Sequence, residues 1–247
     1  MKENSLAGKS ITCIIAALTT VALLLALGNS GTLPWFPPAV VFFLAGACLL
    51  AAFICPFIWH YRKQRNLINS QKIYGWLIAI IRYTIAFNLA GFGWKKLLGL
   101  QFIVPAAIAG KPMDQQSGEW LTWFYFGYSH SFGTLLAIIQ IVGAYGLLFR
   151  RTLLAAAFGL FAFMLNLTLI NICYHMNAGA LTQSVLLTLG ISYLLLTDYK
   201  RLKQFFFKSL PAIPHSAIHN ATVKNILRAS AILLSLLFTI YLKTFMQ

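Results

Sequence analysis

The feature of this sequence that most constrains its fold is a series of long apolar runs almost without charges. About 20 helical residues are needed to cross roughly 30 Å of hydrocarbon, and lipid offers no hydrogen-bond partner to an open backbone. Runs that reach or approach this length cover residues 11–28, 38–58, 74–94, 133–149, 152–172, 178–196 and 227–243. The sequence therefore predicts an all-α, polytopic transmembrane helical bundle with about seven spans.

The composition supports a membrane-embedded chain. Hydrophobic residues make up 60% and charged residues 9% of the chain, whereas a soluble domain is about 45–50% apolar and about 25% charged. The 19 Lys and Arg residues outnumber the 4 Asp and Glu residues. Nucleic-acid binding needs a basic patch on a folded surface, but these basic residues lie between apolar runs. We therefore expect no nucleic-acid partner.

The basic residues predict the orientation of the chain, because Lys and Arg collect in cytoplasmic connections. With a cytoplasmic N-terminus, fourteen of them fall on the cytoplasmic side, four fall on the outer side, and Arg82 lies within the third span. This distribution predicts a multi-pass membrane protein with its N-terminus in the cytoplasm and its C-terminus outside. The first run is either a retained anchor, which its length favours, or a cleaved signal.

Polar residues inside the predicted spans mark a candidate pocket, because each is costly in lipid. Arg82 either extends to the cytoplasmic interface or binds an internal partner, such as Gln140, Asp198, a backbone carbonyl or a lipid headgroup. Asn88, Gln140 and Asn166 fall at similar depth in the outer half. They form either hydrogen bonds between helices or the wall of a polar cavity open to the outer face. The candidate pocket residues are Arg82, Asn88, Lys96, Tyr128, Gln140, Asn166 and Asn171.

Two histidines, His130 and His175, are predicted at the outer boundary of the membrane. Histidine changes its charge near neutral pH, so both are candidate catalytic residues for proton transfer beside a quinone, or else they form interfacial hydrogen bonds. Their spacing matches no metal motif, and we predict no metal site. The outer connection at 97–132 includes an aromatic stretch at 120–128. We predict that this connection lies at the membrane interface or partly re-enters the membrane.

Residues 75–207 contain several stretches that resemble the DoxX-like family of small bacterial membrane proteins. The stretches are Gly93–Phe102, Ser129–Phe132, Gln140–Gly143, Leu147–Thr152, Asn166–Tyr174 and Leu195–Phe207. The resemblance implies a location in a bacterial cytoplasmic (inner) membrane and a four-helix core within residues 74–207. It treats residues 1–73, with two N-terminal helices, and residues 208–247, with one C-terminal helix, as additions.

The resemblance also implies a function. Some members are named as subunits of quinone-linked oxidases or as partners of membrane redox enzymes. It therefore implies an accessory subunit of a redox system, with quinone as a candidate cofactor and membrane lipids as partners. Lys96 matches a family lysine, whereas Gln140 and His175 replace family acidic residues. Because an amide cannot act as a base, a carrier or lipid-binding protein without enzymatic activity is the alternative.

Overall fold

Helices joined by short turns make up the computed structural model, which describes residues 5–28, 36–208 and 220–245. These residues contain no strand, as the sequence predicts. The helices are α1 (Leu6–Gly28), α2 (Pro38–Gln64), α3 (Ser70–Leu97), α4 (Ala106–Ala109), α5 (Gly118–Tyr128), α6 (His130–Gly146), α7 (Leu153–Cys173), α8 (Ala178–Thr197), α9 (Tyr199–Phe207) and α10 (Ala221–Phe245).

The starts of several helices follow from their capping residues. The first backbone N–H groups of a helix have no partner inside it, and a preceding Asn or Ser side chain can accept their hydrogen bonds. Asn69 does this at α3, Ser117 at α5, Ser129 at α6 and Asn177 at α8. α2 instead begins at Pro38, a residue that suits the first turn. The cap at Ser129 thus separates α5 from α6.

Each predicted span overlaps one helix, which confirms the helical bundle. Five helices are long and apolar enough to cross a membrane: α1, α2, α3, α7 and α8. α6 has 17 residues, about 26 Å at 1.5 Å per residue, which is slightly short of the hydrocarbon thickness. In α10 the described residues include a shorter apolar stretch at Asn225–Ser235. The chain is therefore a helical membrane protein whose described residues contain five helices of spanning length and two shorter apolar stretches, in α6 and α10. The count of about seven spans stays a prediction.

The hydrophobic core lies among α1, α3, α6, α7 and α8. Its buried side chains include Ala22 of α1, Ile85 of α3 and Leu160 of α7. The family resemblance implies that α1 is an addition to a four-helix core, but α1 packs against both α3 and α8. The Thr12 hydroxyl of α1 lies 2.6 Å from the Tyr193 hydroxyl of α8. α1 is thus a member of the core, and α2 packs against its other side.

The chain divides into two units, Met1–Leu202 and Lys203–Gln247. The first unit contains α1 through α8. The second unit contains α10, where the described Ile232 and Leu234 side chains are exposed. The division predicted from the sequence, into residues 1–73, 74–207 and 208–247, stays a prediction. α1 and α2 lie in the same unit as α3 through α8, and α1 contributes to their core.

The connection between α3 and α6 forms short helices. α4 and α5 flank a 3₁₀ turn at Met113–Gln115. Gly118, the first residue of α5, packs on the turn after α7, where a Cβ would lie 2.5 Å from the carbonyl oxygen of Tyr174. Only glycine permits such an approach. The Asn177 side-chain amide also donates to the Glu119 carboxylate at 2.7 Å. The start of α5 is therefore fixed to the connection between α7 and α8.

Candidate functional site

A cavity of about 830 Å³ opens among α3, α5, α6, α7 and α8. Sites for small molecules usually measure about 300–1,000 Å³ and combine an apolar wall with a few polar groups. This wall is mainly apolar and aromatic. Its polar residues, apart from two tyrosines, are Lys96, Gln101, Thr122, Gln140, Asn166, Asn171, Asn177, Gln183 and Ser184.

Lys96 and Gln140 form the most polar part of the wall. Lys96 Nζ donates to Gln140 Oε1 at 2.9 Å and lies 5.8 Å from the centroid of the Phe102 ring. Gly93, about one turn earlier on α3, allows this pairing, because a Cβ there would lie 2.5 Å from Ile141 Cγ1 of α6. Small residues let two membrane helices approach closely. The sequence of α3 thus brings its last turn against the middle of α6.

Lys96 is the one charged residue among the described residues that line the cavity. Glu119 of α5 does not line it, although its partner Asn177 does. An ammonium group in apolar surroundings is costly unless it is paired. Gln140 and the Phe102 ring both offer partial negative charge, but neither carries a net charge. The cavity wall therefore has an excess of one positive charge.

A second polar group lies between α1, α3 and α8. Asn88 Nδ2 donates to Gln183 Oε1 at 3.1 Å, and Gln183 Nε2 donates to the Ala22 carbonyl of α1 at 2.8 Å. Asn88 Oδ1 is buried and has no hydrogen-bond partner. Of the two predicted roles, Asn88 makes a hydrogen bond between helices, to Gln183, Asn166 lines the cavity, and Gln140 does both. α1, which the sequence analysis leaves outside the core, supplies the backbone acceptor.

Asn171 joins the two helices on the other side of the cavity. Its side-chain amide donates to Ser184 Oγ at 2.9 Å and to the Ala180 carbonyl at 3.1 Å. Both acceptors belong to α8, so this residue fixes α7 against α8. Asn166 also lines the cavity, one and a half turns earlier on α7. Of the predicted pocket residues, the structure brings Lys96, Gln140, Asn166 and Asn171 to the lining of this cavity.

Aromatic side chains from α5, α6 and the preceding loop cover the cavity. The Phe102 and Phe126 rings are stacked at 5.5 Å between centroids, and Phe126 stacks on Phe132 at 6.2 Å. The aromatic stretch at 120–128 is predicted from the sequence to be interfacial and is not among the predicted pocket residues. The contact of this stretch with the cavity depends on the path of the chain from α4 to α5. No short-range spacing in the sequence indicates that path. Gln101 and Gln183 are likewise wall residues that the sequence analysis does not select.

Arg82 lies outside the cavity. Its Nε donates to the Leu147 carbonyl at 2.9 Å and its Nη2 to the Leu148 carbonyl at 2.8 Å. Of the predicted alternatives, the structure thus gives the backbone carbonyl. Asp198 pairs with Arg201 instead, at 3.7 Å. Arg82 satisfies the orphan carbonyls at the end of α6, and this role is structural.

His130, His175 and Tyr128 do not line the cavity. Tyr128 is 94% exposed, and both histidines are exposed. His175 has a φ of 51° and lies in the turn between α7 and α8. The described residues contain no group of three His, Cys, Asp or Glu side chains that could hold a metal. The structure therefore places the two catalytic candidates away from the polar wall.

Comparison with known proteins gives one informative relative. The chain is 33% identical over 135 residues to an uncharacterized protein, YwoB, of Bacillus subtilis (strain 168); the match covers 52% of this chain and 80% of YwoB. No protein-family model matches the chain, and no solved structure matches it. The extent of the match shows that the chain belongs to the same family as YwoB.

Proposed function

We propose that this membrane protein binds an amphipathic molecule in the cavity. The observation that supports the proposal is the polarity of the wall. Lys96 and Gln140 offer a polar group near the end of α3, while Leu89, on the same helix, lies seven residues away, about 10 Å at 1.5 Å per residue. A head group bound at Lys96 would thus have its apolar chain directed toward the core of the bundle.

The apolar part of the wall suits a hydrocarbon chain. Leu136 of α6, Leu167 of α7 and Leu187 of α8 line the cavity from three helices. An apolar chain gains roughly 0.8 kcal/mol per CH₂ group on leaving water, but it gains little on leaving lipid. Specific retention in a membrane therefore depends on the head group, which makes the polar residues the selective part of the site.

The surroundings of the site follow from the predicted topology. In this proposal the chain lies in a bacterial cytoplasmic membrane with its N-terminus on the cytoplasmic side. α3 then ends at the outer face, and the cavity faces the outer leaflet. Reporter fusions after Arg150 and after Gln116 test this orientation, with the first expected in the cytoplasm and the second outside. The reverse result would contradict it.

An accessory role in a quinone-linked redox system is the second candidate. The observation that favours it is the flat aromatic stack of Phe102 and Phe126 next to the Lys96 ammonium. A quinone ring can stack on an aromatic face, and its carbonyl can accept a hydrogen bond from an ammonium. This role predicts that both a quinone and a redox enzyme copurify with the chain.

Mass spectrometry of the purified full chain tests the binding function, with a cavity-filling variant for comparison. Ala180 lines the cavity, so Ala180→Trp should fill it. Ala178, two residues earlier on α8, is exposed and does not line it, so Ala178→Trp is the matched control. We expect one amphipathic molecule per chain in the natural protein and in Ala178→Trp, and loss of that molecule in Ala180→Trp.

Two results would overturn the proposal. One is a purified protein without any amphipathic molecule above the level of an unrelated membrane protein. The other is an Ala180→Trp variant that folds and retains the molecule at the natural level. A bound quinone together with a copurified redox enzyme would favour the second candidate, while a bound lipid alone would favour the first.

A further inference from the structure

We infer that the head group bound in the cavity is an anion, either a carboxylate or a phosphate monoester on an apolar chain, and that Lys96 is its ligand. This inference rests on the proposed binding function and specifies the chemical class of the molecule. It follows from the charge of the wall, from the hydrogen bonds of the ammonium group and from its position on α3.

The charge of the wall is the first argument. Lys96 is the charged member of the described lining, and no carboxylate accompanies it. Among the described residues the ion pair found is Arg201–Asp198, so the structure gives Lys96 no counter-ion. Removing a charge from water costs several kcal/mol, and mainly an opposite charge with good geometry offsets that cost. A ligand that supplies a negative charge therefore binds with an advantage that no neutral ligand has.

The hydrogen bonds of the ammonium group are the second argument. An ammonium group has three N–H donors and no acceptor, and Gln140 Oε1 accepts one of them. The Phe102 ring attracts the cation through its face but does not neutralise it. A carboxylate or a phosphate offers several acceptor oxygens with charge. The ammonium group makes charge-assisted hydrogen bonds with any acceptor, but an anionic head adds the attraction between opposite charges, which is stronger away from bulk water. An anionic head is therefore favoured over a carbonyl or an ester.

The position of Lys96 is the third argument. Lys96 lies in the last turn of α3, whereas Leu89 and Met164 on the cavity wall belong to the hydrophobic core. The charged group of the cavity thus lies at the last turn of α3, whereas the wall near Leu89 is uncharged and mainly apolar, with Gln183 as its polar residue. A molecule with a charged head and a single apolar chain matches this polarity.

Competition between matched ligands tests the inference. The full chain is reconstituted in nanodiscs of zwitterionic phosphatidylcholine, with cis-parinaric acid as the fluorescent probe. Oleate and methyl oleate have the same chain and differ in the charge of the head. Oleoyl lysophosphatidate provides the phosphate form, and a short-chain quinone provides a neutral head of different shape. We expect oleate or lysophosphatidate to bind at least about tenfold more tightly than methyl oleate, a difference of about 1.4 kcal/mol.

Variants at two adjacent lysines assign the effect. Lys96→Met removes the charge and retains much of the side-chain length, and Lys96→Arg retains the charge. Lys95, which lies 5.6 Å from the Phe92 ring, does not line the cavity, so Lys95→Met is the control. We expect Lys96→Met to weaken anion binding at least about tenfold and to leave methyl oleate within about twofold, while Lys96→Arg restores most of the affinity and Lys95→Met has no effect.

The outcomes separate the two proposals. Methyl oleate or the quinone binding as tightly as oleate, with binding abolished by Ala180→Trp, would overturn the anionic head but leave the binding function intact. No binding of any ligand would overturn both. Preference for oleate supports a lipid-derived acid, and preference for lysophosphatidate supports a phosphate head. The comparison of oleate with methyl oleate in the natural protein does not depend on any variant folding.

Discussion

Arg82 and Lys96 are two cationic residues on the same helix, but they differ in their hydrogen-bond partners and in their surroundings. They lie 14 residues apart on α3, about 21 Å at 1.5 Å per residue. Arg82 donates to two backbone carbonyls at the end of α6 and is 9% exposed. Lys96 donates to one neutral side chain and borders a cavity.

The difference shows how a basic residue in a membrane helix can be assigned a role. A planar guanidinium matches two neighbouring carbonyls, and the end of α6 offers two that need donors. Arg82 therefore completes a helix end. Lys96 Nζ donates one hydrogen bond, to Gln140, and borders the cavity. Its other N–H donors can therefore bind a ligand in the cavity. Four predictions test or sharpen this contrast, from the largest expected effect to the smallest.

Replacing Arg82 should give the largest loss of stability. Arg82→Met leaves the Leu147 and Leu148 carbonyls without their donors, and each unsatisfied buried group costs about 1–3 kcal/mol. We expect the free energy of unfolding to fall by about 2–4 kcal/mol, measured by circular dichroism in detergent micelles. Arg150→Met, at an exposed position, is the control. A stability equal to that of the control would contradict the structural role.

Replacing Gln140 by Glu should raise the stability of the unliganded protein and lower its affinity for oleate. Gln140→Glu places a carboxylate at the acceptor position 2.9 Å from Lys96 Nζ and so provides an internal counter-ion. We expect the unliganded protein to become more stable, and its affinity for oleate to fall about tenfold because the carboxylate competes with the ligand. Gln140→Leu removes the acceptor without adding charge and should weaken oleate binding less. Tighter oleate binding by Gln140→Glu would contradict the anionic head.

The helical architecture could be predicted from the sequence to a large extent. Apolar length alone identifies the helices, because lipid forces an internal hydrogen-bonded backbone. The role of α1 could not be predicted in this way. Its partners, Tyr193 and Gln183, are more than 150 residues away in the chain, and no local pattern reports such contacts.

The candidate site was predictable only in part. Gln140, Asn166 and Asn171 were selected as polar residues inside predicted spans, and Lys96 also matches a lysine of the resembled family. The structure brings all four to the cavity lining. The aromatic cover depends on the path of the connection through α4 and α5. His130, the first residue of α6, and His175, in the turn after α7, were selected for their chemistry. Helical spacing gives little information about the direction of a side chain at a helix end or in a turn.

The hydrogen bond between Asn88 and Gln183 should contribute modestly to the free energy of unfolding. Hydrogen bonds between membrane helices average about 0.6 kcal/mol in double-mutant cycles. We expect a coupling energy of that size for Asn88→Leu combined with Gln183→Leu, from unfolding of the two single variants and the double variant. A coupling above about 2 kcal/mol would indicate that this pair, rather than Arg82, is the main polar contribution to the stability of α3.

The smallest effect is expected for Trp94 and Tyr145. Trp94 Nε1 donates to the Tyr145 hydroxyl at 2.9 Å on an exposed surface of α3 and α6. Removal of this bond by Tyr145→Phe should change the free energy of unfolding by less than about 0.5 kcal/mol and leave ligand binding unaltered. This pair therefore gives the baseline for the other α3 variants. A change in the free energy of unfolding as large as that of Arg82→Met would contradict the expected difference between surface and buried hydrogen bonds.

The central claim is that Arg82 supports the fold and Lys96 binds a ligand. Native mass spectrometry of Arg82→Met and Lys96→Met, purified side by side with parallel melting curves, tests it most directly. The account predicts that Arg82→Met has a lowered Tm and retains the copurified amphipathic molecule. Lys96→Met should have a smaller decrease in Tm, because it removes one donor rather than two, together with an unpaired charge, and should lose the molecule. Retention of the molecule by a folded Lys96→Met at the natural level would contradict the account.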